Sequence, residues 1–245
     1  METSLKAPNP WVGSPVYVRE RTHSTMDDAR ALALGGCAEG TVVVAGFQKK
    51  GRGRIPGRAW FSAPWESLMA TVVIDASSLR FPLAQLPLRT AVAVCCSLEE
   101  AGLAPGIKWP NDLTVEGKKL AGILCETCNQ SALVGIGINC MQRTFPDNLA
   151  TTACSILQAT GREVSPLSLL SVVLARLKDA LGDETWRSKL IERLSFRGER
   201  VRVTFAPDQA IMGTLHDVDS EGRLILRDDT GVFHTLSTGE LRREP

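Results

Sequence analysis

Apolar positions fall in short dense runs separated by polar, glycine-rich connections. Residues 16–20 read as a strand, and 41–47 and 67–76 as strands buried on both faces. Between the first two, Ser24 or Thr25 suits a helix N-cap, Asp27 and Asp28 suit the first turn, and the Gly35, Gly36 pair ends the helix. The mostly apolar stretch 83–101 predicts a long buried helix beginning after Pro87. Strands are expected at 113–116, 119–127 and 131–138, and helices at 166–181 and 183–194. Four short strands follow, at 200–206, 210–218, 222–227 and 231–237. Turn signals at Pro207-Asp208, 220–222 and 229–231 separate them. The pattern therefore predicts an α/β (α+β) fold: a mixed sheet packed with helices, then a small β-barrel. The expected divisions are an irregular lead-in at 1–15, a main domain at 16–196 and an appended domain at 197–245.

Composition narrows the functional classes. Twenty-eight Lys and Arg against 27 Asp and Glu remove the basic excess of a dedicated nucleic-acid binder. No apolar run approaches the roughly 18 residues of a membrane span, and the N-terminus lacks a secretory apolar region. Seven irregularly spaced cysteines read as reduced thiols, which implies a cytoplasmic protein. Cys125 and Cys128 lie three apart in one strand, so they face opposite sides and do not form a redox or zinc pair.

Four motifs carry candidate chemistry. From 41 to 65 there is no acidic residue but five basic ones, within Gln48-Lys-Lys-Gly51-Arg52-Gly53-Arg54-Ile-Pro-Gly57-Arg58-Ala-Trp60. Glycines allow close backbone approach, and arginines present planar donors to phosphate or carboxylate. The plain alternative is a solvated basic loop. The turn Lys108-Trp109-Pro110-Asn111-Asp112 gathers a cation, an amide and a carboxylate. In Gly117-Lys118-Lys119-Leu120-Ala121-Gly122-Ile123-Leu124, strand alternation lets at most one lysine reach a pocket. Gly135-Ile-Gly137-Ile-Asn139 ends an apolar strand without the GxGxxG of a dinucleotide fold.

Taken in order with Ser24-Thr25, these motifs resemble the biotin–protein ligases (biotin–[acetyl-CoA-carboxylase] ligases) over roughly residues 16–140. The late Gly239-Glu240-Leu241 is similar to that family's SH3-like end domain. The resemblance implies a class II aminoacyl-tRNA-synthetase-like catalytic domain. It also implies a two-step reaction: biotin and MgATP give biotinyl-5′-AMP and pyrophosphate, then the acyl group passes to a lysine of a biotin carboxyl carrier domain, releasing AMP.

By the same resemblance, Lys119 reaches the activated carboxyl as the main catalytic residue. Arg52, Arg54 and Arg58 clamp the biotin carboxylate and the ATP phosphates, and the loop of Arg52 closes over the adenylate. Lys108, Asn111 and Asn139 contact the nucleotide. Asp112 holds Mg²⁺ or steers the acceptor amine. Ser24, Thr25 and Gln48 hydrogen-bond the biotin rings, beside Gly51, Gly53 and Gly122. The chain departs from the family pattern at Met26, where asparagine is usual, and at Ile55-Pro56, where the loop is one residue longer. The short lead-in leaves no room for a helix-turn-helix, so no DNA binding is expected. A lipoate-type adenylate ligase lacks this motif set, and a non-enzymatic nucleic-acid binder predicts no ATP use. The oligomeric state, a homodimer included, is left open.

Overall fold

The computed structural model describes residues 3–4, 8–206 and 209–244. In chain order its elements begin with β1 (Thr3–Ser4), β2 (Val16–Thr22), α1 (Thr25–Leu34), β3 (Val42–Gln48), β4 (Ser67–Asp75) and α2 (Leu86–Glu100). Next come β5 (Gly106–Lys108), β6 (Asp112–Val115), β7 (Lys118–Cys128) and β8 (Ser131–Asn139). Four helices follow: α3 (Asp147–Ala150), α4 (Ile156–Thr160), α5 (Pro166–Gly182) and α6 (Trp186–Glu192). The chain closes with β9 (Arg200–Ala206), β10 (Gln209–Val218), β11 (Leu224–Arg227), β12 (Phe233–Leu236) and β13 (Glu240–Arg243).

The first eight strands form one sheet in the order β1-β2-β3-β4-β8-β7-β6-β5. Only β2 and β3 pair in parallel, joined by the crossover helix α1. Side-chain alternation then sets the layers. On β3, Val42 and Val44 join the main core with α2 and α5, while Val43 faces Met26 and Ala29 of α1. On β4, Val72 and Ile74 take the first face and Val73 the second. A strand covered on both sides has no polar positions to spare, which explains the unbroken valine run. The two thiols of β7 divide in the same way, Cys125 against the main core and Cys128 against α1.

The last five strands form an antiparallel sheet in the order β12-β11-β10-β9-β13. Its inward residues, among them Val201, Val203, Leu215 and Leu241, belong to the same continuous core as the main sheet. Hydrogen bonds from the main domain reinforce the join. Trp109 Nε1 donates to Gly222 O at 3.0 Å, Gln85 Nε2 to Ser220 O at 2.7 Å and Arg187 Nε to Val218 O at 2.7 Å.

Several expectations are corrected. β5 and β13 are strands the hydropathy pattern did not reveal, because β5 is three residues long and β13 is mostly charged. Pro87 lies within the first turn of α2 rather than before it, where its missing N–H costs nothing. α6 is shorter than 183–194, since Asp183 and Thr185 are spent in a turn. The lead-in is not wholly irregular: β1 pairs with β2, and Trp11 is buried in the main core. The turn expected at Pro207 and Asp208 lies outside the described residues.

Trp109→Phe removes the indole donor of the half-buried Gly222 carbonyl and takes ring atoms out of a fully packed site. The lost hydrogen bond and the void together cost roughly 2–4 kcal/mol. Urea unfolding of this variant should show a loss of that size.

Candidate active site

A narrow cleft, of about 50 Å³, lies between the start of α1, the end of β3 and the β4, β7 and β8 strands. Three glycines on two adjacent strands make its floor. Gly122 pairs in register with Gly137, and Leu124 with Gly135. A Cβ at Gly137 would sit 2.9 Å from the Trp60 ring, and one at Gly135 2.9 Å from Met26 Sδ. A Cβ at Gly122 would sit 3.2 Å from Lys119 Nζ. The missing side chains are thus what lets Trp60, Met26 and Lys119 approach the sheet. Trp60 Nε1 is buried with no hydrogen-bond partner among the described residues, a donor left free in the cleft wall.

One end of the cleft is a buried polar cluster. Ser24, the N-cap of α1, accepts from Met26 N at 3.2 Å. Gln48 Oε1 accepts from Thr25 N at 2.7 Å and from Thr25 Oγ1 at 3.1 Å. Thr71 Oγ1 donates to Thr25 Oγ1 at 2.9 Å. With its oxygen committed, Gln48 has its Nε2 to offer, touching only Met69 Sδ at 3.4 Å. Ser24, Thr25 and Gln48, all three predicted, line the cleft at this end.

The Arg/Gly segment folds as a small arm, with Arg52 bridged to Ala59, Gly53 N bonded to Arg58 O at 2.8 Å and Trp60 N to Gly51 O at 3.1 Å. The arm spreads its arginines rather than clustering them. Arg52 lines the cleft and pairs with Asp27 at 2.8 Å and Glu126 at 3.7 Å. Arg54 turns away, donating from Nε to Asn111 Oδ1 at 3.2 Å and from Nη2 to Gly239 O at 2.7 Å. Arg58 pairs with Glu240 at 2.8 Å. The three-arginine clamp expected from sequence is therefore not assembled here, because Gly239 O, just before β13, and Glu240, its first residue, engage Arg54 and Arg58.

At the cleft edge, Lys119 Nζ lies 2.6 Å from Asp112 Oδ1 and 5.9 Å from the Trp60 ring centre. A register shift between β6 and β7, at Leu113 and Thr114, brings the Lys119 side chain over Gly122, while Lys118 faces solvent. Asn139 and Asn111 sit behind this pair. Asn139 Nδ2 donates to Cys154 O at 2.9 Å and Lys119 O at 3.4 Å. Asn111 Nδ2 donates to Ile123 O at 2.8 Å. Both are buried, and neither lines this cleft. Lys108 is partly buried near Asp112 and Glu240, and desolvation holds its ammonium below the ordinary lysine value. Among the described residues no group of three His, Cys, Asp or Glu side chains could hold a metal ion.

Sequence reasoning missed Thr71, a lone hydroxyl within an apolar strand, and the use of Trp60 as a wall. Gly135 and Gly137, two apart in a strand, fall on one face and clear it, a signal the sequence does carry.

A cleft with an ammonium–carboxylate pair at its edge, a polar recess and a cationic arm belongs to a class of enzymes that join biotin or lipoate to proteins. The biotin/lipoate A/B protein ligase family model matches residues 18–142, and the biotin protein ligase C-terminal domain model matches 196–241. The chain belongs to this family and is a biotin–protein ligase.

Curated relatives agree. The biotin–[acetyl-CoA-carboxylase] ligase of Mycobacterium tuberculosis is 32% identical, over 90% of this chain and 86% of that protein. The Paracoccus denitrificans enzyme of the same name is 33% identical, over 86% and 93%. The bifunctional ligase/repressor BirA of Bacillus subtilis is 31% identical, over 90% and 72%. Among solved structures, the Aquifex aeolicus biotin protein ligase in complex with biotin and ATP superposes with a TM-score of 0.85 at 27% identity, covering 94% of this chain and 99% of that one.

Lys108 yields a stability prediction. The folded state bears the desolvation cost of its ammonium. Lys108→Met should therefore unfold at a higher temperature than wild type at pH 7. Between the lowered folded pKa and the ordinary 10.5, the unfolded chain binds more protons, so wild-type stability rises with pH. The advantage of the variant should fade across that window, as read by thermal unfolding at a series of pH values.

Proposed function

We propose that biotin and the phosphates of ATP meet at the Lys119–Asp112 edge of this cleft, and that the acyl-adenylate formed there passes to a carrier-domain lysine. The observation that carries this reading is the position of Lys119: paired with Asp112, resting over Gly122 and next to the Trp60 ring. The polar recess suits a ureido group, which has one acceptor and two donors. Gln48 Nε2 and the Ser24 and Thr25 hydroxyls supply complementary groups, and the glycine floor leaves an apolar bed for the rings.

In the first step a carboxylate oxygen of biotin attacks the α-phosphorus and pyrophosphate leaves. The approaching oxygens are all negative, so a preorganised ammonium lowers the barrier by offsetting charge as the groups close. Lys119 supplies that cation, and Arg52 supplies a second on turning inward from Asp27. In the second step the carrier amine attacks the acyl carbon, AMP leaves and the amine loses a proton. Asp112 is the carboxylate at hand to steer the amine. Arg54, Arg58 and Lys108 form a cationic flank toward β13 suited to phosphates. Asn111 and Asn139 hold β7, and so Lys119, in position; Gly51 and Gly53 shape the arm.

Mg²⁺ is usually bound by one or two carboxylates together with substrate phosphates. Asp112 as a single carboxylate fits a metal arriving on ATP, and its pairing with Lys119 does not fit a preformed metal centre. When bound, the ion would neutralise phosphate charge. The seven unpaired thiols support a cytoplasmic location, with burial raising Cys125 and Cys140 to about 12. Among the described residues no helix is long and apolar enough to cross a membrane. The same reading assigns catalysis to a unit over 16–196 and an accessory role to 197–245.

Lys119→Ala should lower biotin-dependent pyrophosphate release roughly 10²–10³-fold, the usual effect of removing one charge-stabilising donor. Transfer of biotin to an apo carrier domain should fall with it. Wild-type protein that releases no pyrophosphate with biotin, or a variant as fast as wild type, would overturn the assignment.

A further inference from the structure

A second cleft, of about 370 Å³, lies where Trp11, the segment 78–81 and the C-terminal end of α5 meet. It shares no lining residue with the active-site cleft. Trp11, Leu79, Phe81 and Leu181 make its apolar walls.

Arg89, projecting from α2, also lines this cleft and is only 6% exposed. Its Nε donates to Gln85 Oε1 at 2.9 Å, and its Nη1 to the carbonyls of Ala180 and Asp183 at 3.0 and 2.8 Å. Phe81 lies 4.0 Å from the guanidinium carbon and Trp186 5.0 Å. These contacts tie α2 to the end of α5 and account for one side of the side chain. They leave Nη2 with no acceptor among the described residues, and no carboxylate there forms an ion pair with Arg89. A buried guanidinium is ordinarily paired. Here desolvation pulls its pKa down, and the charge of Asp183 offsets this only in part.

The remaining charges of the cleft are mostly committed. Asp183 accepts from Thr185 and from Lys189 Nζ at 2.7 Å. Lys178 donates to Pro10 O, and Glu39 accepts from Ser78 Oγ at 3.0 Å. Two exposed groups stay without a partner among the described residues: the cation Arg80 and the rim carboxylate Glu184.

We propose that this cleft is a binding site for a small organic acid, its carboxylate held between Arg89 Nη2 and Arg80 and its apolar body against Phe81, Leu181 and Trp11. A carboxylate has two oxygens for two separate donors. Glu184 at the rim opposes a phosphate dianion more than a monoanion. The site does not depend on how the active-site cleft is read.

The test follows the indole N–H signals of Trp11 and Trp60 in ¹H–¹⁵N spectra during titration with 4-phenylbutyrate, with each signal assigned by Trp→Phe substitution. Trp11 should shift saturably while Trp60 stays unmoved. The uncharged 4-phenylbutanol, and the Arg80→Ala variant, should each weaken binding by about tenfold, the loss expected for one charge-assisted contact. Glu184→Gln should tighten it, a change that a purely structural Arg89 would not produce. Arg89→Met strips acceptors at the end of α5 of their donor, so the exposed Arg80 carries the test. The proposal fails if Trp11 does not move, if Trp60 moves in step with it, if the alcohol binds as well as the acid, or if inorganic phosphate shifts Trp11 as strongly.

Discussion

A β-sheet face normally presents a closed layer of side chains, and a ligand can lie against the backbone only where that layer is interrupted. Gly122, Gly135 and Gly137 make the interruption on two neighbouring strands. Everything around the cleft uses the space they clear. Trp60 lies over Gly137, Met26 reaches Gly135, and Lys119 bends across Gly122 toward Asp112. A single added methyl group at Gly137 would fall within 2.9 Å of an aromatic ring, so the floor and wall can vary only together.

The cationic arm is governed by a different balance. It has five basic residues in its neighbourhood and no acid of its own, so its arginines find partners elsewhere. Arg52 finds Asp27 and Glu126 beside the cleft; Arg54 and Arg58 find Gly239 and Glu240 on the C-terminal sheet. Exposed ion pairs of this kind are individually weak. They set a resting position from which a stronger anion can draw the side chains.

Most of the fold was legible because burial leaves a periodic signature. The valine run of β3, the Ser24 cap and the glycines ending α1 each report a local cause. The active-site motifs were legible as an ordered set, and Ser24, Thr25, Gln48, Arg52, Gly122 and Lys119 do surround one cleft or its edge. What the sequence hid depends on contacts between distant segments. Nothing near Arg54 or Arg58 indicates that Gly239 and Glu240, some 180 residues away, supply acceptors for them. No motif shows that the Asn111 and Asn139 amides donate to backbone carbonyls of other segments. β13 itself was invisible because only Leu241 of its four residues is buried.

The continuous core beneath both sheets bears on how the protein opens. Since Val201, Val203, Leu215 and Leu241 pack into the same cluster as Leu88 and Trp109, the C-terminal sheet has no apolar interior separate from that of the main domain. Such a molecule melts cooperatively rather than shedding a domain, and amide exchange in β9 and β10 reports on the whole. Sub-global fraying at β13 would be the exception: it would take Glu240 from Arg58, tying the looseness of the arm to an edge strand at the far end of the chain.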